Sequence, residues 1–127
     1  MVNSKNNFKE EFKKRLISFT VETLKLCRDL REDRNLWAVA DQVARSAASV
    51  GANVSEAKGA SSIRDYKHYF EIALKSANET KYWFLVIKEY SGDSGVSGSL
   101  ERELDEVIKI LSAAILTMRG KRKIQDS

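Results

Sequence analysis

Few side chains in this sequence could carry out catalysis. His68 is the only histidine and Cys27 the only cysteine, so neither a histidine-rich metal cluster nor an internal disulfide can form. Asp65 precedes His68 by three residues, as in the Glu-x-x-His pairs of di-iron bundles, but those sites need two such pairs and further carboxylates. Cys27 has no histidine near it in the sequence and is expected to be a buried thiol. The sequence therefore predicts no catalytic residue, no metal site and no cofactor.

A second group of polar residues lies in a segment that is otherwise rich in alanine. It could form a catalytic cleft, a ligand site or a hydrogen-bond network that sets the register of two helices. No nucleophile and base can be paired among its members, which favours the network. The group consists of Gln42, Arg45, Ser46, Ser49, Asn53, Ser55 and Glu56.

Basic residues are candidates for contact with nucleic acid. The chain has 22 lysine and arginine residues against 18 aspartate and glutamate residues, a net charge of +4. Intervals of four predict a short basic ridge on the first helix, and a cluster near the C-terminus predicts a basic tail. The alternative is a solvated helix face with a frayed end. Glu11 precedes Arg15 by four residues, the spacing of an ion pair within a helix. The candidates are Lys5, Lys9 and Lys13 on the ridge and Arg119, Lys121, Arg122 and Lys123 in the tail.

Four stretches of the chain carry apolar residues at the spacing of a helix face. Steps of three and four residues place each set on one stripe, and the chain contains no proline to interrupt a helix. The stripes predict helices at about 7–31, 35–58, 62–90 and 99–119, with short connections. Four such helices predict an all-α fold, an antiparallel up-down-up-down four-helix bundle that forms a single domain over residues 1–127.

The residues between the stripes predict how the helices begin and end. Asn35 and Ser62 can each accept a hydrogen bond from the free N–H groups of the helix that follows. Gly59 is placed to end the second helix in a left-handed conformation. Gly51, inside that helix, predicts a closely approaching neighbour, since an interior glycine costs about 1 kcal/mol relative to alanine. Residues 91–99, rich in serine and glycine, predict a flexible loop.

The third helix has more apolar residues than one bundle core can use. A second apolar stripe lies beside its core stripe, and an exposed patch of this kind usually marks an interface. The sequence therefore predicts self-association through this patch. The alternative is that the loop at 91–99 and the chain ends fold over it. The candidate interface residues are Tyr69, Ile72, Trp83, Val86 and Tyr90.

Two motifs in the second and third helices resemble the signature of a bacterial protein family. The first is Gly51-Ala52-Asn53-x-x-Glu56-Ala57, and the second, at the expected separation, is Glu79-Thr80-x-Tyr82-Trp83. On these motifs the chain resembles the four-helix-bundle proteins encoded in 23S ribosomal RNA intervening sequences. It is also distantly similar to the accessory variability determinant of diversity-generating retroelements.

The resemblance implies a subunit that assembles into a ring, typically a pentamer. For the retroelement relatives it also implies association with nucleic acid and with a reverse transcriptase. It carries over no catalytic residue.

Together these features predict a non-enzymatic, homo-oligomeric protein that binds RNA or DNA, or that scaffolds a nucleic-acid enzyme. The alternative is a purely structural or protein-interaction subunit that does not bind nucleic acid. The first residues lack the apolar segment of a signal peptide, and no uncharged apolar stretch reaches the roughly 20 residues of a spanning helix. We therefore expect a cytoplasmic protein without a membrane partner.

Overall fold

Every regular element of the described chain is helical. The computed structural model describes the backbone of residues 4–126 and the side chains of residues 7–120. No strand occurs in this part of the chain, which confirms the all-α class. The α-helices are α1 (Ser4–Leu30), α2 (Trp37–Ala57), α3 (Ile63–Ser91) and α4 (Gly98–Asp126), and single 3₁₀ turns occupy Arg34–Leu36 and Asp93–Gly95.

Contacts between the helices show that neighbours run antiparallel. Ser46 of α2 faces Thr80 of α3, and Ser49, one turn further along α2, faces Ser76, one turn earlier on α3. Ion pairs between α3 and α4 follow the same reversed order, and α1 lies beside both α2 and α4. The result is the predicted four-helix bundle, in which the start of α1, the end of α4 and the α2–α3 connection share one end.

The core consists of the residues on the four apolar stripes. Phe19, Val43, Ile87 and Leu111, one from each helix, are at most 2% exposed. Burying a side chain of this size stabilises the fold by about 1.5–3 kcal/mol relative to leaving it in water. The position of the stripes therefore determines which face each helix turns inward.

The first turn before α2 is capped by Asp33 and not by Asn35. The Asp33 carboxylate accepts a hydrogen bond from the Asn35 N–H at 2.9 Å and closes a 3₁₀ turn that leads directly into α2. The prediction that Asn35 caps α2 is wrong. The 3₁₀ turn comes before α2, so the free N–H groups lie at the start of this turn, where Asp33 accepts a hydrogen bond from one of them. Ser62 caps α3 as predicted, since its hydroxyl accepts a hydrogen bond from the Asp65 N–H at 3.0 Å.

The left-handed glycine follows α3 and not α2. Gly92 has φ = +86° and is the one residue with positive φ in the described chain. The prediction of a left-handed Gly59 is wrong because its N–H bonds to the Glu56 carbonyl, and this turn continues the helical path without a change in the sign of φ.

α1 packs closely against α2 at Gly51. A methyl group on Gly51 would lie 3.6 Å from Leu16 Cβ and 3.8 Å from the Thr20 hydroxyl, both ordinary contact distances. The predicted close approach is present, and it leaves room for an alanine.

The connection between α3 and α4 is anchored to the bundle. Val96 is 3% exposed, and the Ser97 hydroxyl accepts a hydrogen bond from the Leu100 N–H at 3.1 Å. The sequence predicted a flexible loop because serine and glycine dominate residues 91–99 and Val96 is the one apolar side chain among them. α4 continues past its predicted end near residue 119, as far as Asp126.

Candidate nucleic-acid interface

The polar residues of α2 meet polar residues of α3 along one seam. At its centre, Ser46 and Thr80 are fully buried and their hydroxyl oxygens lie 2.8 Å apart. Thr80 also donates to the Ser76 carbonyl at 2.8 Å, and the Ser46 hydroxyl lies 3.3 Å from the Val43 carbonyl. Buried hydroxyls are costly when unpaired, so this pair favours one register of α2 against α3.

The same seam extends along both helices. The Ser76 hydroxyl donates to the Ser49 hydroxyl at 2.8 Å, and the Asn53 amide donates to the Ser49 hydroxyl at 3.1 Å. One turn away, Arg45 forms an ion pair with Glu79. Of the polar group singled out in the sequence, Ser46, Ser49 and Asn53 therefore bond along the line formed by Ser76 and Thr80 of α3. Arg45 contacts α3 separately through Glu79 and also bonds to Gln42.

Among the described residues, the buried polar side chains of the seam are all hydrogen-bonded. The seam contains neither the histidine nor the cysteine. Ser55 and Glu56 are exposed and take no part in it. Of the three interpretations of these residues, the geometry supports a network that sets helix register.

The predicted interface residues lie along the edge of α3 next to α2. Part of their surface is used within the chain: Tyr69 and Trp83 pack against the core, and the Trp83 indole donates to Glu79 at 3.2 Å. Tyr90 donates to Asp33 at 3.0 Å and keeps 53% of its surface exposed. Their role in self-association stays a prediction. The set is Tyr69, Ile72, Trp83, Val86 and Tyr90.

Three of the predicted nucleic-acid residues have described side chains. Lys9 and Lys13 are exposed on α1, and neither forms an ion pair with a carboxylate of residues 7–120. The Lys9 ammonium lies 5.7 Å from the centre of the Tyr66 ring, a cation–π distance. Arg119 lies 3.7 Å from Glu71. The remaining candidates, whose side chains lie outside the described residues, are Lys5, Lys121, Arg122 and Lys123.

Folding separates the charges of the chain into two unlike halves. The basic half, at the end with the start of α1 and the end of α4, comprises residues 7–21, 48–77 and 110–120 and contains nine basic and five acidic residues. The acidic half, residues 22–47 and 78–109, contains nine basic and twelve acidic residues. Their formal net charges are therefore +4 and −3.

Cations without an ion-pair partner are concentrated in the basic half. Among residues 7–120 there are five in the basic half and two in the acidic half. Sequence reasoning missed three of the five because they stand far from Lys9 and Lys13 along the chain and belong to no local cluster. The five are Lys9, Lys13, Lys58, Arg64 and Lys75, and the two are Arg34 and Arg102.

Arg15 joins α1 to α4. Its Nε donates to the Glu103 carboxylate at 3.2 Å, and this hydrogen bond raises the pKa of Arg15. The predicted pair between Glu11 and Arg15 does not form, and Glu11 lies 3.7 Å from Lys14 instead. The two-pronged bond to Glu103 is stronger than an exposed pair within one helix, because both guanidinium donors are used.

α1 is bordered by a groove. α1 and α4 meet over less of their length than the other neighbouring helices, and a groove of about 1160 Å³ runs beside α1. Its lining includes α1 from Phe8 to Val21, α2 from Ala48 to Ser55 with Lys58 just beyond it, and α4 from Ile110 to Met118. Three of the five unpaired cations of the basic half belong to this lining.

His68 and Cys27 lie apart from the seam and the groove. His68 is exposed on α3. Cys27 is 2% exposed on α1, and burial raises the pKa of its thiol. Within the described residues, no group of three histidine, cysteine, aspartate or glutamate side chains could hold a metal ion. None of the helices described there is long and apolar enough to cross a bilayer.

Comparison with known proteins identifies a family and solved structures of similar fold. The model of the 23S rRNA-intervening sequence protein family matches residues 9–113. A crystal structure of a protein of unknown function from the S23 ribosomal protein family, from Bacteroides thetaiotaomicron, shares 30% sequence identity with a TM-score of 0.73. The match covers 81% of this chain and 96% of that chain. No curated protein matches the chain.

Proposed function

Because this chain belongs to the 23S rRNA-intervening sequence protein family, we propose that it is a non-enzymatic, homo-oligomeric cytoplasmic protein that binds nucleic acid through its basic half. The family is named for an intervening sequence of 23S rRNA, and the similar structure is that of a protein of unknown function. RNA is therefore the first nucleic acid to test.

The separation of charge between the two halves carries this proposal. A cation that is paired with a carboxylate is partly neutralised and attracts a phosphate less strongly. The unpaired cations should therefore contribute most to binding. Five of these lie in the basic half, within the described chain, and only two lie in the acidic half. Contacts of this kind release counterions from the nucleic acid and give binding that depends on salt and little on sequence.

Self-association would strengthen binding through these few contacts. A ring repeats the same basic surface in every subunit, and linked weak contacts combine through effective concentration. The resemblance implies five subunits, and we propose the α3 stripe that ends at Tyr90 as the contact between them. A nucleic-acid enzyme such as a reverse transcriptase is a further proposed partner.

A protein-interaction subunit without nucleic-acid binding is the second candidate. It is supported by large apolar side chains that remain exposed on the helices, with pairs one turn apart on α1 and nearly so on α3. Ile17 and Val21 of α1 are 55% and 45% exposed, and Tyr82 and Leu85 of α3 are 58% and 55% exposed. Surfaces of this kind are typical of protein contacts.

Two matched double variants test the first candidate. Lys9→Gln with Lys13→Gln removes two unpaired cations from the basic half, and Arg34→Gln with Arg102→Gln removes two from the acidic half. Each pair includes one cation that lies over an aromatic ring, Lys9 over Tyr66 and Arg34 over Trp37. The two variants therefore have equal net charge and similar local effects on packing.

Binding of a labelled RNA duplex is measured by fluorescence anisotropy across a salt series. The basic-half variant should lower the magnitude of the log–log salt slope by about 0.9 for each phosphate that the protein no longer neutralises. The acidic-half variant should leave the slope unchanged. An equal decrease in both variants, or no binding by the unaltered protein at low salt, would contradict the proposal.

A further inference from the structure

We propose that the groove beside α1 binds an amphipathic helix of a partner protein, and that this helix carries glutamate or aspartate beside its apolar face. The proposal adds a protein ligand to the nucleic-acid surface described above. It depends on the shape, the apolar lining and the charge of the groove.

The groove has the length that a helix of a few turns requires. Along α1 it extends from Phe8 to Val21, which at 1.5 Å per residue is roughly 20 Å. Its α2 wall includes Ala48 and Ala52, which are exposed and whose small side chains allow another backbone to approach. A helix that lies in such a groove inserts side chains spaced three, four and seven residues apart.

Apolar surface lines the groove and remains partly uncovered. Phe12 and Leu16 line it and are buried, whereas Ile17 and Val21 are 55% and 45% exposed. Covering such side chains stabilises a complex in proportion to the apolar area removed from water. The occupant must therefore present an apolar face of its own.

Charge selects among occupants with an apolar face. Lys9, Lys13 and Lys58 line the groove and are exposed without an ion-pair partner among residues 7–120, whereas Glu10 is the one acidic residue in the lining. A helix with acidic flanks would pair with these lysines, and a helix with basic flanks would be repelled by them. The groove thus favours an acidic amphipathic helix.

The test uses two labelled peptides of about 18 residues with the same leucine face, one flanked by glutamate and the other by lysine. Anisotropy with the full-length protein should show at least tenfold tighter binding of the glutamate peptide. Ile17→Ser with Val21→Ser should weaken that binding at least tenfold. Tyr82→Ser with Leu85→Ser, which removes equally exposed side chains outside the groove lining, should leave it unchanged.

Further measurements separate this proposal from the others. The Ile17→Ser, Val21→Ser variant keeps every charge, so its RNA salt slope should match that of the unaltered protein, and its helical circular dichroism should be retained. Equal affinity for the two peptides would overturn the proposal. Dissociation of an oligomer by this variant would show that a second copy occupies the groove, and binding to anionic vesicles in place of the peptide would show a membrane surface. Either result would also overturn it.

Discussion

The α2–α3 pair and the α1–α4 pair are neighbouring helices in the same bundle, yet they pack in different ways. Between α2 and α3, small residues bring the helices together, and buried hydroxyls of Ser46 and Thr80 bond across the contact. Between α1 and α4 the contact is shorter, it includes the ion pair of Arg15 with Glu103, and it borders a groove.

The difference shows how one bundle can both specify its fold and keep surface for binding. Directional bonds between buried hydroxyls are satisfied in only one register, so the α2–α3 pair restricts how the helices can align. The α1–α4 pair depends on a partly exposed charge contact and leaves apolar side chains in reach of solvent. Changes at the first pair should affect stability, and changes beside the second should affect binding.

The largest expected effect comes from replacing an alanine by leucine, once in the α2–α3 pair and once beside the groove of the α1–α4 pair. Ala77 of α3 is fully buried, whereas Ala114 of α4 is half-buried and lines the groove. Ala77→Leu should lower the free energy of unfolding by about 1–3 kcal/mol through overpacking. Ala114→Leu should be neutral or stabilising because the groove can accept the side chain. Urea unfolding of both variants checks this, and equal costs would remove the contrast between the two sides.

The buried hydroxyl pair should show strong coupling. Thr80→Val leaves the Ser46 hydroxyl without its partner across the seam, so we expect a loss of about 1–3 kcal/mol. Adding Ser46→Ala should restore part of that loss, because the double variant no longer buries a Ser46 hydroxyl that has lost its partner on α3. A double-mutant cycle measured by chemical denaturation gives the coupling energy, and strictly additive effects would mean that the pair does not set the register.

The ion pair between α1 and α4 should contribute less. Both partners are partly exposed, with 39% and 29% of their side chains accessible, and pairs of this kind are worth about 0–1 kcal/mol. Arg15→Gln should therefore lower stability by less than about 1 kcal/mol, and added salt should reduce the difference from the unaltered protein. A larger loss that salt does not change would show that the α1–α4 side is held as firmly as the seam.

The smallest effect concerns Cys27. Burial raises the pKa of its thiol in the folded chain, so the stability linked to the protonated thiol is fully present below the unfolded value, about 8.5. As pH rises from there towards the folded pKa, the unfolded chain loses its proton first and this stability is lost. The stability of the unaltered protein relative to Cys27→Ala should decrease as the pH rises above about 8.5, as measured by unfolding at each pH. A stability difference between the two proteins that does not change with pH would contradict a raised pKa of Cys27 in the folded chain.

Some features of the fold could be predicted because they depend on local spacing. The stripe through Phe70, Ala73 and Ala77 indicates the inward face of α3 because helical periodicity places these residues on one side. The Ser62 cap is also local, since its partner lies three residues away. Asn35 and Gly59 were predicted wrongly because the adjoining turns supply alternative backbone bonds.

The sequence by itself determined the four helices, their inward faces and the total charge, because these follow from residues close together along the chain. Only the tertiary structure decided that Lys58, Arg64 and Lys75 lie in the same half of the bundle as Lys9 and Lys13. Antiparallel packing brings distant segments to one end, so charges that are mixed along the sequence become separated in space. The partners of Ser46 and Arg15 were decided in the same way, since each lies on another helix that only the packed bundle brings within hydrogen-bond distance.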